Sequence, residues 1–317
     1  MLRAKAVLAL SGLPPSTPIQ RLDSARNEVW LAGDVVVRIA TAMQSARLSH
    51  EARVLSALPP EVPHPRVIRT GRADFGEWSV MERIPGTTLS RMWPDLHDWQ
   101  RRHAVHRLGS ALKRLHQIDA SVLRPSFQMV ESLECPHQLP VPRLARCIER
   151  ARALPFVDAG LMAAVEQMAS SATEVLGDEP TTLVHGDFHL ENVLAFEGGV
   201  RGLIDFEFAR PGWPEIDLEV LLRFCETPEL HASADYAGRI DRNDFRPVVS
   251  WLSESYPELF AHPRVIERVN LCSLSYDLRD LLLFPPDRPA ADLAPFHPVN
   301  RLQRLVDGRG LLQLVHW

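Results

Sequence analysis

One predicted β-hairpin constrains the fold of this chain more than any other stretch of the sequence. Two apolar runs, residues 193–196 and 200–204, are separated by Glu197-Gly198-Gly199. Gly-Gly supplies the positive φ that a tight hairpin turn requires. A hairpin returns the chain to its starting point, so we expect Asn192 on one side and Asp205 on the other to lie side by side.

The loop before this hairpin is rich in polar side chains at close spacing. Thr182-Leu183-Val184 is a short β-prone run, which makes His185-Gly186-Asp187-Phe188-His189-Leu190-Glu191-Asn192 the predicted loop after it. The amide oxygen of Asn192 and the carboxylate of Asp205 suit a hard cation such as Mg²⁺. Asp187 can accept the proton of an attacking hydroxyl. Phosphoryl transfer needs this combination of groups.

His-Gly-Asp-x-His-x-x-Asn followed by Ile-Asp-Phe resembles the aminoglycoside phosphotransferase and choline kinase group, small-molecule kinases distantly similar to protein kinases. The resemblance extends more weakly over roughly residues 18–285. It implies an α+β, bilobal fold of the protein-kinase type, with a small antiparallel-sheet N-lobe over residues 1–84 and a larger, mostly helical C-lobe over residues 85–317. It also implies transfer of the γ-phosphoryl group of ATP, or of GTP, to a hydroxyl of a small molecule, with Mg²⁺ as cofactor.

The resemblance assigns roles around the hairpin. Asp187 is the catalytic base or orients the hydroxyl, and Asn192 and Asp205 are the magnesium ligands. His189 is a candidate substrate contact, with bracing of the loop as an equal alternative. Glu207, which stands where protein kinases have the glycine of Asp-Phe-Gly, is another candidate. Three acids of the C-lobe are candidates for contacting an amine of the acceptor: Glu226, Asp277 and Asp280.

The first part of the chain predicts strands that hold a nucleotide. Two apolar runs flank the loop of residues 23–27, where backbone N–H groups from Ser24 to Asn27 can meet phosphate oxygens although the loop lacks glycine. The strand of residues 35–39 carries Arg38 where protein kinases have Lys. A guanidinium can hold phosphate bidentately. The alternative is a surface arginine on an edge strand.

A helix and a hinge complete the predicted nucleotide site. Residues 45–58 are amphipathic and include Glu51, the natural partner of Arg38, as a strand Lys and a helix Glu pair in kinases. A solvated helix carboxylate is the alternative for Glu51. By resemblance, Met81 lies behind the adenine and the backbone of Glu82 and Ile84 hydrogen-bonds its edge. From residue 87 onward the periodicity is mainly helical, notably over residues 99–118, 140–153, 158–176, 216–225 and 265–284.

Charge is unevenly distributed along the chain. Residues 1–85 contain eleven Lys/Arg against eight Asp/Glu, whereas the remainder contains 24 against 32 and the whole chain has a net charge of −5. This asymmetry fits a nucleotide held by the first part and a cationic acceptor attracted by the second, and a solvated acidic surface is an equal alternative. No basic stripe with interleaved aromatic residues is present, which argues against nucleic acid as a partner.

The composition is that of an ordinary globular protein, with 45% hydrophobic and 24% charged residues among 317. No run approaches the twenty apolar residues of a membrane span, so we expect no membrane partner. The short apolar run after Arg3 and Lys5 predicts a first helix rather than a signal peptide. No CxxC pair occurs among Cys135, Cys147, Cys225 and Cys272, so we expect reduced thiols and a cytoplasmic protein. We also expect a monomer or a weak dimer.

Other interpretations of the polar loop stay open. His185-x-Asp187-x-His189 could ligate zinc, although no further histidines follow at motif-like spacing. A catalytically inactive kinase fold could serve as a nucleotide-binding scaffold, and an enzyme of the same fold could transfer a nucleotidyl group instead.

Overall fold

Five antiparallel strands form the sheet at the start of the chain, in the spatial order β1-β2-β3-β5-β4. The strands are β1 (Gln20–Leu22), β2 (Asn27–Ala32), β3 (Val35–Ala40), β4 (Val67–Ala73) and β5 (Gly76–Glu82). The computed structural model describes residues 1–22, 24, 27–42, 46–121, 141–177, 180–197, 199–232 and 235–314. Asp23, Ala25, Arg26, Ser45 and Cys135 therefore lie outside the described residues.

Helices cover both faces of this sheet. Helix α1 (Leu2–Leu10), the predicted first helix, buries Ala4, Val7 and Leu8 against one face. Helix α2 (Arg47–Ala57) lies on the other face and turns its apolar side toward the core, as its periodicity predicts. Because β3 has strands on both sides, Arg38 occupies the middle of the sheet, and the alternative of an edge-strand arginine is wrong.

The rest of the chain is mostly helical. The helices are α3 (Leu89–Met92), α4 (Asp98–His116), α5 (Val141–Arg152), α6 (Ala159–Ser170), α7 (Ala172–Leu176), α8 (Glu215–Glu226), α9 (Val248–Ser255), α10 (Val265–Leu283) and α11 (Pro298–Val306). The single segment predicted over residues 158–176 is thus two helices separated at Ser171. None of the described helices is both long and apolar enough to cross a membrane. The predicted small antiparallel sheet with a mostly helical remainder is confirmed.

Two small sheets lie within the helical part. Strand β7 (Leu183–Val184) pairs with β10 (Arg210–Pro211), and β6 (Thr87–Thr88) joins the hairpin of β8 (Val193–Phe196) and β9 (Gly199–Leu203).

The register of the hairpin confirms the sequence prediction. Val193 pairs with Leu203, and the N–H of Ile204 donates to the carbonyl of Asn192 at 2.9 Å. Asn192 and Asp205 therefore lie at the open end of the hairpin, next to each other across the two strands. At the closed end a positive φ of 51° falls on Glu197, while Gly198 is outside the described residues.

Candidate active site

Asp217 anchors the loop that carries Asp187. Its side chain is completely buried, and its Oδ1 accepts the N–H of Gly186 at 2.8 Å while Oδ2 accepts the N–H of His185 at 2.8 Å. Asp217 lies in the first turn of α8, so the carboxylate connects this helix to the loop. Burial opposes ionisation, but hydrogen bonding to His116 lowers the pKa of Asp217, which keeps the carboxylate charged.

His116 extends this anchor, and no pattern in the sequence indicated this role. Its Nε2 lies 3.0 Å from Asp217 Oδ2, and its Nδ1 lies 3.2 Å from the hydroxyl of Tyr256. The chain of contacts joins α4, α8 and the segment after α9 to the backbone of the loop. These contacts hold the backbone of the loop in place.

The backbone of the loop is also held by close packing at Gly186. Its φ of 80° is in the left-handed region, and a Cβ there would lie 2.3 Å from the carbonyl oxygen of Phe208. Only glycine meets both requirements. The loop of Asp187 and the segment after Asp205 are therefore in direct backbone contact.

Asn192 orients Asp187. Its Nδ2 donates to the carbonyl oxygen of Asp187 at 2.8 Å and lies 3.3 Å from the Oδ2 of the same residue. The amide NH₂ thus faces Asp187, which leaves the amide oxygen as the donor atom for a cation. The structure brings the predicted base and the first predicted magnesium ligand into contact.

The two histidines of the loop have different surroundings. His185 Nε2 lies 3.0 Å from the carbonyl of Ile204, and burial lowers the pKa of His185, so a neutral ring donates this bond and braces the loop. His189 Nε2 lies 3.5 Å from Asp187 Oδ1, and its ring stacks on Phe224. Burial opposes charging of His189, but the carboxylate of Asp187 raises its pKa. A substrate contact by His189 stays a prediction.

Arg38 links the sheet, α2 and the hairpin exit. Its Nη1 donates to Glu51 Oε2 at 2.5 Å, and its Nη2 donates to Asp205 Oδ1 at 2.8 Å. The other oxygen of Glu51 accepts the N–H of Phe206 at 3.1 Å. Burial and the neighbouring carboxylates raise the pKa of Glu51 to about 7, and the contact with Arg38 opposes that rise. The structure brings together Arg38 and Glu51, the pair expected from the sequence.

Asp205 adopts a left-handed backbone conformation with φ 66° and ψ 53°. Asp is among the few non-glycine residues that tolerate this region. Asp205 lies two residues after the end of β9, and its side chain is 34% exposed. A partly exposed carboxylate on Asp205 and the amide oxygen of Asn192, on residues that are neighbours across the hairpin, are oxygen donors of the kind that Mg²⁺ takes, with waters and phosphate oxygens completing its shell. Among the described residues no group of three or more His, Cys, Asp or Glu could hold a metal by itself, as a zinc cluster would.

Glu207 is buried beside two arginines. Its side chain is only 2% exposed and lies 3.9 Å from Arg38 Nη2 and 3.6 Å from Arg47 Nη1. Arg47 also lies over the ring of Phe208. A substrate contact by Glu207 stays a prediction. No pattern in the sequence marked Arg47, which begins α2.

The described residues of the predicted phosphate loop and hinge lie in the sheet or directly beside it, and their contacts with a nucleotide stay a prediction. Ser24 and Asn27 lie in or next to the connection of β1 to β2, which pair antiparallel. Met81 is buried in the core that spans the sheet and the helical part. The N–H of Glu82 donates to the carbonyl of Arg66 at 2.9 Å. Ile84 packs on β9, where Gly202 has no Cβ to block it.

The acids predicted to meet an amine are paired with arginines in this structure. Glu226 accepts from Arg304 at 2.6 Å. Asp277 accepts from both Arg223 and Arg301, and Asp280 accepts from Arg301. Burial raises the pKa of Asp277 despite these partners. The sequence showed the acids without these arginines, which lie up to 78 residues away, and an amine contact by Glu226, Asp277 or Asp280 stays a prediction.

Comparisons with known proteins identify the family and the fold. A family model described as "Phosphotransferase enzyme family" matches residues 18–249. No curated protein sequence matches the chain. Among solved structures, APH(2″)-IIa in complex with gentamicin is 17% identical, with a TM-score of 0.61 and coverage of 98% of this chain and 96% of that chain.

Two further structures show the same fold. ADP-bound APH(2″)-Ib is 16% identical, with a TM-score of 0.60 and coverage of 94% of this chain and 95% of that one. A thermostable mutant of APH(4)-Ia with ADP and hygromycin B is also 16% identical, with a TM-score of 0.59 and 98% coverage of both chains. Because the family model spans more than half of its length, the chain belongs to the phosphotransferase enzyme family.

Proposed function

We propose that this protein transfers the γ-phosphoryl group of ATP to a hydroxyl group of a small molecule. The observation that carries the proposal is the junction of two clusters at the open end of the β8–β9 hairpin. One cluster is Arg38 with Glu51 and Asp205, and the other is Asp187 with Asn192. Phosphoryl transfer depends on positioning and charge stabilisation, and these clusters supply both.

Each residue has a separate task in the proposed mechanism. Arg38 is oriented by Glu51 and presents a fixed positive charge where phosphates would lie. Asn192 and Asp205 would hold Mg²⁺, which when bound neutralises charge on the phosphate oxygens. Asp187, held by Asn192, accepts the proton of the acceptor hydroxyl as the oxygen attacks. Asp217 holds the loop backbone so that Asp187 keeps its position.

The nucleotide site is proposed on similar grounds. The backbone of Ser24 and Asn27 would meet phosphates, while the carbonyl of Glu82 and the backbone of Ile84 would hydrogen-bond the base beside Met81. ATP is the proposed donor. GTP is the alternative, because the contacts described above do not depend on the identity of the base. ADP in two of the similar structures supports a nucleotide co-substrate. We also propose that the boundary between the two lobes lies between residues 84 and 85, directly after the residues that would bind the base.

We also propose a cytoplasmic location and a monomer or weak dimer. The described cysteines, Cys147, Cys225 and Cys272, are free thiols, which suits a reducing compartment.

The Asp187→Asn variant tests the function. A base that accepts a proton late in the reaction contributes little to nucleotide binding, so the variant should keep near-normal MgATP affinity. Its kcat should fall by roughly 10²–10⁴-fold, the usual effect of losing a positioned general base. Products from a panel of alcohols incubated with MgATP are identified by mass spectrometry, and MgATP affinity is measured by calorimetry.

Two outcomes would contradict the proposal. Turnover of an acceptor at the wild-type rate by Asp187→Asn would remove Asp187 as the base. Tight MgATP binding without any phosphorylated product would instead indicate an inactive scaffold, and a nucleotidylated product would indicate transfer of a nucleotidyl group.

A further inference from the structure

Tyr236 reaches the loop of Asp187 from the connection between α8 and α9, residues 227–247. Its side chain is only 3% exposed, and its hydroxyl donates to the Oε1 of Glu191. Glu191 directly precedes Asn192 in the short helical turn of Leu190–Asn192. No pattern in the sequence gave a role to Tyr236 or to Glu191.

The hydrogen bonds of Tyr236 run in one direction. A phenol has a single proton, and Tyr236 donates it to Glu191. The Oγ of Ser90 lies 3.3 Å from the hydroxyl oxygen of Tyr236, so Ser90 is the donor to that oxygen. Burial and the hydrogen bond to Glu191 raise the pKa of Tyr236 to about 12, which keeps the phenol protonated at neutral pH. Ser90 is fully buried, so solvent does not compete for the bond between the two hydroxyls.

Helix α3 holds the ring of Tyr236. The guanidinium of Arg91 lies over the ring, 4.4 Å from its centroid, and donates to Asp235 at 2.5 Å and 3.1 Å. Helix α3, which carries Ser90 and Arg91, follows directly after β6, and β6 pairs with β8 of the hairpin. The phenol is therefore held in a fixed position relative to the strand that follows Asn192.

The connection that carries Tyr236 is held at a second point as well. Trp93 stacks on Phe245 with 5.2 Å between ring centroids, and Arg101 Nη2 donates to Asp244 Oδ2 at 2.8 Å. The connection thus packs on residues 90–101 both at Tyr236 and at residues 244–245. The contact between Tyr236 and Glu191 belongs to a packed segment rather than to a free loop.

The turn of Leu190–Asn192 lies between two other anchors of the loop. The carboxylate of Asp217 binds backbone N–H groups at the start of the loop, and β8 pairs in the hairpin at its end. The turn between them carries Asn192, whose Nδ2 donates to the carbonyl of Asp187. A shift of this turn would therefore displace the proposed metal ligand and the proposed base together.

We propose that Tyr236 is a positioning residue that holds this turn through its bond to Glu191. The turn then keeps Asn192 and Asp187 in the arrangement that metal-dependent phosphoryl transfer requires. This inference rests on the proposed phosphotransferase function, because it adds a residue to that same site.

ADP binding with and without Mg²⁺ tests the proposal and needs no acceptor. Calorimetry gives the ADP affinity in excess Mg²⁺ and in EDTA, and the ratio of the two affinities measures the contribution of the metal site. Tyr236→Phe keeps the ring and removes the donor. We expect this affinity ratio to fall by at least about 3-fold, part of the roughly 10-fold effect of one hydrogen bond to a charged group, while the affinity in EDTA is unchanged. The rate of phosphoryl transfer at saturating MgATP should fall as well, because Asp187 moves with the turn.

Variants of Glu191 show whether the two residues act as a unit. Glu191→Ala should lower the affinity ratio as Tyr236→Phe does, whereas Glu191→Gln keeps an acceptor oxygen for the phenol and should recover part of the loss. The double variant with Tyr236→Phe and Glu191→Ala should lose no more than the larger of the two single losses, since both changes break the same contact.

Tyr276→Phe is the matched control. Tyr276 lies in α10 and is also covered by an arginine, with 4.0 Å between the Arg223 guanidinium and the ring centroid. Its replacement should change neither the affinity ratio nor the rate. Melting temperatures verify that every variant is folded.

Three results would overturn the inference. The first is an unchanged affinity ratio in Tyr236→Phe. The second is a double variant in which the two single losses multiply. The third is an equal fall of ADP affinity in Mg²⁺ and in EDTA, which a merely structural role of Tyr236 would produce. Failure of the proposed function is seen in the wild type instead, as no gain in ADP affinity from Mg²⁺ or as no phosphoryl transfer.

Discussion

Replacement of Asp217 by Asn tests how the loop of Asp187 is held in place. The Asn side chain has the same shape as the Asp side chain, but its NH₂ group replaces one carboxylate oxygen and therefore faces a backbone N–H donor. If the NH₂ takes the place of Oδ1, it meets the N–H of Gly186; if it takes the place of Oδ2, it meets the N–H of His185. At least one buried backbone N–H therefore loses its acceptor in either orientation.

The size of the effect follows from these contacts. A hydrogen bond to a charged group is worth about 1.5–3 kcal/mol, and an unsatisfied buried donor costs about 1–3 kcal/mol more. Because Asp217 is completely buried, solvent does not screen these contacts. We expect Asp217→Asn to lower the free energy of unfolding by about 3–5 kcal/mol, a large part of the 5–15 kcal/mol typical of a domain.

The pH dependence gives a second measurement. The folded pKa of Asp217 lies below its ordinary value of 3.8, so its stabilisation is fully present above that value and is lost as pH falls through the folded pKa. Urea unfolding should therefore show the same difference between wild type and variant at pH 7.5 and at pH 5.5. Asp158→Asn is the control, because Asp158 caps α6 through one bond to Leu161 and Asn caps equally well. A loss under about 1 kcal/mol, or a difference that shrinks between pH 7.5 and pH 5.5, would refute the reasoning.

Three further changes address the nucleotide and the backbone. Arg38→Ala should weaken ATP binding by about 1.5–3 kcal/mol, and Arg38→Lys should recover part of the loss; equal ATP affinity in calorimetry for wild type and Arg38→Ala would exclude a phosphate contact. Asp205→Ala should abolish Mg²⁺-dependent nucleotide binding with the fold intact, so unchanged MgATP affinity would remove Asp205 from the metal site. Gly186→Ala should destabilise the protein by about 1–3 kcal/mol in thermal unfolding, because the added Cβ would collide with the carbonyl oxygen of Phe208. Gly238→Ala is the control and should be nearly neutral, because the space around Gly238 is open. Similar melting temperatures for the two variants would contradict this.

Local sequence signals were sufficient where neighbouring residues decide the structure. The hairpin that joins Asn192 to Asp205 followed from apolar periodicity and turn residues alone. The pairing of Arg38 with Glu51 required the resemblance as well, since the strand and the helix that carry them are separate elements. Both predictions concern residues placed by elements that the periodicity marks clearly.

The remaining features depend on partners that periodicity does not mark. The acids Glu226 and Asp277 were visible in the sequence, but the arginines that pair with them come from other parts of the helical region. His116 was hidden for the same reason, because nothing in α4 indicates that Asp217 lies beside it. A charged residue in a sequence indicates a charge, and only the fold decides whether that charge is available to a ligand.

Glu51 is bonded to two parts of the molecule, which limits how the sheet can move relative to the helical part. One oxygen binds Arg38 in the central strand of the sheet, and the other binds the backbone of Phe206 beyond the hairpin. A rotation of the sheet away from the helical part must either break the contact with Phe206 or move residues 206–208 along with α2. Residues 206–208 follow the left-handed turn at Asp205, where a small torsional change would redirect the segment. A movement of the sheet away from the helical part would therefore also change the backbone next to Asp205, the residue proposed to hold the metal.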